Sequence, residues 1–437
     1  MKRIVIWGWI MLTAAALWQC GGGKSLSSDD LNQMAPQDRI VFLQQEAAKR
    51  PDDLAVRRQL YQEYLAIDMR PQAVAVMEEM IAIDPSQTDV VFDYGALNYR
   101  MGEYQTAYRA FLSVLQSASG NLYTARVGEF VAGSYLVQRV TSSPDDEGFP
   151  TWSPDGTRLL FQKHSNGNWD IVEWTLDSQA ESVVISTPAD EEAPAYSPDG
   201  SALVFTSTGA DPRPVESKLK VREVQTFQRS DNYIANLTQS VADDWLPRYS
   251  NDGRHLVFVS DRADLRKVGY LGKQSDLYIM ESDGAFQQRL TDSNANEGGG
   301  TFSADNQHIF YHSNKFAAQY DIFRMKVDGT QPLLVVDNPD GDDVNPHASA
   351  DGMYLTFVSN RDGNFEIYRC RTDGTEQERL TFNPGLDANP VFSPDGSMIA
   401  FHSDRGGNFD IYIINLSYPT GSLTTSDLIQ RLNGMVN

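Results

Sequence analysis

Six carboxylates recur in this 437-residue chain at one position of a repeating unit: Glu147, Glu191, Asp244, Glu297, Asp343 and Asp387. Each stands three residues before a proline, except Glu297, which precedes Gly300. Carboxylates held close together bind a hard cation such as Ca²⁺, attract a basic partner, or raise one another's pKa. Three units add an arginine, Arg262, Arg361 and Arg405, in the tripeptides SDR, SNR and SDR. Asn364, Asn408 and Asp410 follow closely. The other units carry Lys163–His164, Ser207–Thr208 and Asn314–Lys315 instead. Acid–arginine pairs would be structural, as inter-blade ion pairs and loop caps, whereas uncompensated acids would offer a site to a cation or a basic protein. His164, His312 and His402 each precede a serine, but in separate units, so their spacing does not converge on one zinc ion.

The elements that must position these groups are short strands. A turn aspartate recurs at Asp155, Asp199, Asp252, Asp305, Asp351 and Asp395, in steps of 44 to 53 residues. In "NPVFSPDGSMIAFHSDRGGNFDIY" (389–412) an apolar strand meets a Pro-Asp-Gly turn, an alternating strand, a polar loop and a third strand. Complete units add a fourth strand ending in RLT or NLT. A period of this length predicts propeller blades. The last unit stops after its third strand at Leu416, and an orphan fourth strand, "LVQRVT" (136–141), precedes the first. Their pairing would close a six-bladed ring and remove its open sheet edge.

Strand alternation puts the second-to-third and fourth-to-first loops on one face, here the upper face. The first strand is innermost, so the six acids are expected to rim the central channel. Trp169, Phe365 and Phe409 open third strands, where they would either stack on a sugar or pack the core. Two basic insertions, 209–223 and 262–275, lengthen upper loops of adjacent blades and are candidates for specificity.

Residues 36–134 show helical periodicity with a 34-residue repeat, the tetratricopeptide (TPR) period. "YGALNYRMGEYQTAYRAFLSVL" (94–115) carries small Ala96 and Ala107 at helix contacts, Gly102 at the turn, and Tyr94, Tyr104 and Phe111 on the buried stripe. Ala73 is the equivalent of Ala107 in a weaker copy. Such arrays stack, and their concave face takes a peptide or helix; a short one can also act as a spacer.

A net charge of −23 with 41% hydrophobic residues describes a folded acidic chain and argues against a nucleic-acid partner. Lys2 and Arg3 precede an apolar stretch, 4–18, of signal-peptide length. "GGGKS" (21–25) lacks the earlier glycine of a phosphate loop, because Trp18 stands there, and reads as tether. Cys370 reads as a buried filler in a third strand.

"LWQCGGGKSLSSDD" resembles a bacterial lipoprotein signal, with Cys20 as the lipidated residue. The "FSPDG" and "DIY" units resemble the TolB-like beta-propeller with PD40 (WD40-like) repeats. The expected fold is multidomain: an all-α TPR solenoid, then an all-β six-bladed propeller. The divisions are 1–20 signal peptide, 21–35 tether, 36–134 helical repeats, 135–416 propeller and 417–437 tail, with a short helix capped by Ser426. The combination resembles an envelope component of the Tol-Pal or type IX secretion kind. It implies an outer-membrane, periplasm-facing scaffold without enzymatic activity or cofactor, membrane-bound by lipid alone, with protein partners in the TPR groove and on the propeller's upper face. The alternative is a lactonase- or esterase-type hydrolase using a divalent cation at the acidic rim. No G-x-S-x-G nucleophile motif occurs.

Overall fold

The computed structural model describes residues 34–131, 133–213, 220–266, 272–316, 318–419 and 424–436, in two compact units divided after Gln87. The expected signal peptide and Cys20 lie outside the described residues, as do parts of both basic insertions. No described helix is long and apolar enough to cross a membrane.

The first unit holds three helices, α1 (Pro36–Lys49), α2 (Leu54–Ala66) and α3 (Arg70–Ile83). Prolines sit in the first turns of α1 and α3, where their missing N–H costs nothing. The Asp53 carboxylate accepts the N–H groups of Ala55 and Val56 and starts α2. Leu43, Ala73 and Met77 are buried, on the stripe the 34-residue register predicts.

The second unit opens with α4 (Thr88–Arg100), α5 (Tyr104–Gln116), a 3₁₀ turn (Gly120–Tyr123) and α6 (Thr124–Val131). Gly102 turns the chain between α4 and α5 at φ +80°, in open space. Ala107 and Phe111 are fully buried, while Tyr94 and Tyr104 are half-buried. The close helix contact falls on Gly95 rather than Ala96: a Cβ at Gly95 would lie 2.9 Å from the Phe111 ring.

Six four-stranded antiparallel sheets follow. Their innermost strands are Glu147–Trp152, Glu191–Tyr196, Asp244–Tyr249, Glu297–Phe302, Asp343–Ala348 and Asp387–Phe392, in blades one to six. Strand Tyr135–Arg139 pairs with the third strand of blade six, Asp410–Pro419, with Leu136 opposite Asn415 and Arg139 opposite Tyr412. That strand runs three residues past the expected Leu416 because Tyr135 pairs with Pro419. The core lies between blades: Leu160, Ile171 and Ile185 of blade one pack on Leu203, Phe205 and Phe227 of blade two. Across the closure, Phe161 and Val172 pack on Ala400 and Ile411.

Each turn aspartate works with a serine two residues earlier. Ser153 Oγ donates to Asp155 Oδ1 at 2.6 Å and accepts Arg158 N–H at 2.9 Å. The same pair closes the turn at Ser393–Asp395. Hydrogen bonds to the ionised form hold these carboxyls low, to about 2 at Asp199.

The tail returns to the helices. Helix α7 (Thr425–Val436) packs on α5 and α6 with Leu428 and Leu432 fully buried. Its cap is Thr424 rather than the expected Ser426: Thr424 Oγ1 accepts Asp427 N–H at 3.2 Å, and the Asp427 carboxylate accepts Thr424 N–H at 2.8 Å.

Candidate functional site

The six recurrent acids open the six innermost strands, but they do not stand free on the channel. None is more than 2% exposed. Each innermost strand bulges just after its acid, and the residue two positions on takes a left-handed backbone: Phe149, Ala193, Leu246, Gly299, Asn345 and Asn389 have φ between +48° and +60°. The expected rim of open carboxylates is therefore corrected: the acids are buried where the innermost strands begin, and later residues line the channel.

Blades three, five and six share one arrangement. Arg262 grips Asp244 through Nε and Nη2 at 3.2 and 2.6 Å. Arg361 Nη2 reaches both Asp343 oxygens at 2.8 and 2.9 Å, and Arg405 Nη2 reaches Asp387 at 2.6 Å. Each arginine also donates Nε to the serine ending the second strand, Ser260, Ser359 or Ser403. Each guanidinium lies 4.8–4.9 Å from the ring centre of Tyr278, Tyr368 or Tyr412. A second pair repeats in the same blades: Arg289 with Asp276, Arg379 with Glu366, and Arg139 with Asp410.

Blades one, two and four carry glutamate at the same position. Glu191 reaches back four residues to the Thr187 hydroxyl at 2.5 Å and the Thr187 N–H at 3.2 Å. Glu297 does the same with the Ser293 hydroxyl and also accepts from Ser313 at 3.2 Å. Glu147 has Lys163 at 3.4 Å, which it shares with Glu181. Burial pushes Glu147 and Glu191 up to about 7 and raises Glu297 as well. Burial also raises Asp244 and Asp343, against the pull of their arginines.

The remaining polar groups serve loops. Asn364 donates to the carbonyls of Asn383 and Gly385, and Asn408 to those of Ser143 and Asp145. Asn168 makes the same clasp in blade one. Trp169, Phe365 and Phe409 are half-buried; Trp169 packs at a tilt against His164, and Phe409 meets His402 edge-on. His402 and His312 are inter-blade acceptors: Nδ1 of each takes the N–H of the left-handed residue in the next blade, Phe149 at 3.3 Å and Asn345 at 3.2 Å. Gln162 and Thr206 do this elsewhere. Desolvation pushes both histidines down to about 4, so they remain neutral acceptors. Among the described residues, no three His, Cys, Asp or Glu side chains are grouped to hold a metal ion. Cys370 is buried, with its thiol pushed up to about 12.

An open cavity of about 360 Å³, solvent included, occupies the channel and is bounded by Leu246, Arg248, Gly299, Asn345, His347 and Asn389 among others. Arg248 is the one charged residue lining it. The sequence reading missed it, although a signal was present. Four residues after each acid the six units carry Thr151, Ala195, Arg248, Thr301, His347 and Val391, so Arg248 is the lone arginine in that register. Gly298–Gly300 replaces a bulkier Pro-containing stretch, and the His312 and Val257 side chains pack where Cβ atoms there would lie.

On the upper face, blade five meets helix α4 of its own unit. Arg379 donates to the Tyr99 hydroxyl of α4 at 2.8 Å, and a Cβ at Gly363 would lie 2.8 Å from the Tyr99 carbonyl. Blades three and four present apolar residues on that face: Val241 is 98%, Leu265 90% and Phe316 69% exposed.

The family model described as the TolB beta propeller domain matches residues 135–270 and 330–427, more than half of the chain. The chain belongs to the TolB beta propeller domain family. Atu1656 of Agrobacterium fabrum is 30% identical over 118 residues, which are 26% of this chain and 36% of that relative's length. A protein assigned as TolB from Agrobacterium tumefaciens superposes with a TM-score of 0.50 at 20% identity, over 65% of this chain and 97% of that one, a likeness of fold. TolB from Acinetobacter baumannii gives 0.48 at 18% identity, over 66% of this chain and 72% of that one. Oligogalacturonate lyase from Vibrio parahaemolyticus gives 0.47 at 15%, over 66% and 96%.

Proposed function

We propose that this chain is a non-enzymatic interaction protein of the cell envelope, held there by lipid at Cys20, that docks a protein partner on the upper loops of propeller blades three and four. The observation that carries this reading is the exposure of Val241, Leu265 and Phe316 on one face of a rigid ring. Loops on a rigid scaffold are where binding surfaces are commonly built. Membership of the TolB propeller family supports a partner-binding role. The non-enzymatic reading is supported by the burial of all six recurrent acids, five of which accept hydrogen bonds from nearby side chains. The helical repeats offer a second surface, for a peptide or helix, and the same reading assigns them that role.

The test is in-envelope crosslinking followed by purification and mass spectrometry. It compares wild type with the triple variant Val241→Asp, Leu265→Asp, Phe316→Asp. Phe286→Asp, 82% exposed in a turn of the opposite face, is the control. Loss of one defined partner in the triple variant, with retention in the control, is the expected result. Equal recovery in all three proteins would remove the upper-loop site.

A further inference from the structure

The channel cavity holds a charged group that the family fold and the docking surface do not use. Arg248 sits in the innermost strand of blade three and lines the cavity. Among the described residues no hydrogen bond or ion pair holds its guanidinium, whereas Arg262 and Arg289 of the same blade are each matched to an aspartate. Desolvation without a compensating anion lowers its pKa to about 10. By accessible surface Arg248 is only partly buried, so its guanidinium keeps some contact with water, but among the described residues it has no ion partner in the channel, and an arriving anion would supply one.

Two other polar side chains lining the cavity carry donors. His347 Nδ1 accepts the Phe392 N–H at 3.3 Å, which places the ring proton on Nε2. Burial and the charge of Arg248 push His347 down to about 3, so it stays a neutral donor. Asn345 Nδ2 donates to Asn389 Oδ1 at 2.7 Å, leaving the Asn389 amide N–H groups available. No carboxylate lines the cavity. A single uncompensated positive charge with neutral donors around it suits a monoanion; a phosphate dianion would leave buried negative charge over.

We propose that the propeller channel is a carboxylate-binding site, with Arg248 as the ion partner and His347 and Asn389 as donors. A guanidinium meets a carboxylate edge-on through two parallel hydrogen bonds, a geometry that a planar ligand entering the channel end-on can reach. The carboxylate comes either from a free small acid or from the C-terminus of a peptide. This inference does not depend on the docking of a partner at the upper loops.

The test titrates the full chain with sodium acetate, with triglycine and with triglycine amide at constant ionic strength, followed by calorimetry and by the Arg248 Nε–H resonance. Acetamide and inorganic phosphate are the controls. Acetate and triglycine are expected to bind with dissociation constants on the order of millimolar, and acetamide and the peptide amide at least roughly tenfold more weakly. Triglycine binding more tightly than acetate would assign the site to a chain terminus; equal binding would assign it to a free acid. Arg248→Gln is expected to lose roughly tenfold or more in affinity, and Arg248→Lys to lose less. If Arg248→Gln does not fold, the wild-type Arg248 resonance decides, since it must move with acetate and stay still with acetamide. Absence of acetate and triglycine binding up to about 50 mM, or binding unchanged in Arg248→Gln, would overturn the proposal.

Discussion

Blades three, five and six and blades one, two and four use the same strand position in opposite ways. Where the second-to-third loop carries an arginine, the acid is aspartate: Asp244, Asp343 and Asp387. Where it does not, the acid is glutamate: Glu147, Glu191 and Glu297. The extra methylene explains the exchange. An aspartate is short enough to meet the guanidinium beside it, whereas Glu191 and Glu297 fold back to a hydroxyl four residues earlier, at Thr187 and Ser293, and Glu147 faces Lys163. The first arrangement keeps a buried ion pair; the second keeps a carboxyl that can take up a proton near neutral pH. A six-fold repeat of acids is thus two structural solutions rather than one binding ring.

This contrast predicts unequal costs. Arg262→Met strands Asp244 as a buried unpaired charge and is expected to destabilise by about 3–5 kcal/mol in urea denaturation at pH 7. Lys163→Met in blade one is expected to cost about 1 kcal/mol, because Glu147 can take a proton instead. Equal costs would break the distinction.

The pH dependence sharpens it. Glu191 has a folded pKa of about 7, raised above its unfolded value of roughly 4.3. The folded state therefore holds more protons between those values, and this group's contribution is full below the lower one and lost as pH rises through about 7. Glu191→Gln should match wild type near pH 4.5 and exceed it by about 1–3 kcal/mol at pH 8. A difference that does not change with pH would show that Glu191 stays ionised in the fold.

Between blades, His402→Leu leaves the Phe149 N–H without its acceptor and is expected to cost about 1–3 kcal/mol, while His402→Gln, which keeps an acceptor, should cost less. His402 is depressed to about 4, so the stability it gives is present above the ordinary histidine range and lost as pH falls through about 4. The smallest effect is expected at Val241→Asp, within about 0.5 kcal/mol of wild type, because the side chain is 98% exposed.

The six blades and their closure were legible because the Pro-Asp-Gly turn and the alternating strand carry their own local physics. The pairing of acid with arginine was legible because loop and strand start recur together, but the pairs expected between blades lie within them, as at Arg405–Asp387. The inward burial of the acids was not, because it depends on a bulge at residues such as Leu246 and Asn389, whose left-handed backbone no side-chain pattern announces. Arg248 lies in an ordinary strand pattern and becomes informative only when its blade is superposed on the other five. The docking of α7 on α5 and α6 joins residues far apart in the chain, such as Thr124 and Thr425, whose hydroxyls lie 2.6 Å apart. No local periodicity encodes that contact.

The central claim is that the recurrent acids build the ring and the exposed upper loops meet the partner. The most direct measurement is in-envelope crosslinking of two variants side by side. One carries Glu147→Gln, Glu191→Gln and Glu297→Gln, and the other carries Val241→Asp, Leu265→Asp and Phe316→Asp. The account predicts that the partner is retained by the glutamine variant and lost by the loop variant. Retention by the loop variant with loss by the glutamine variant would contradict it and return the acids to the role of a binding site.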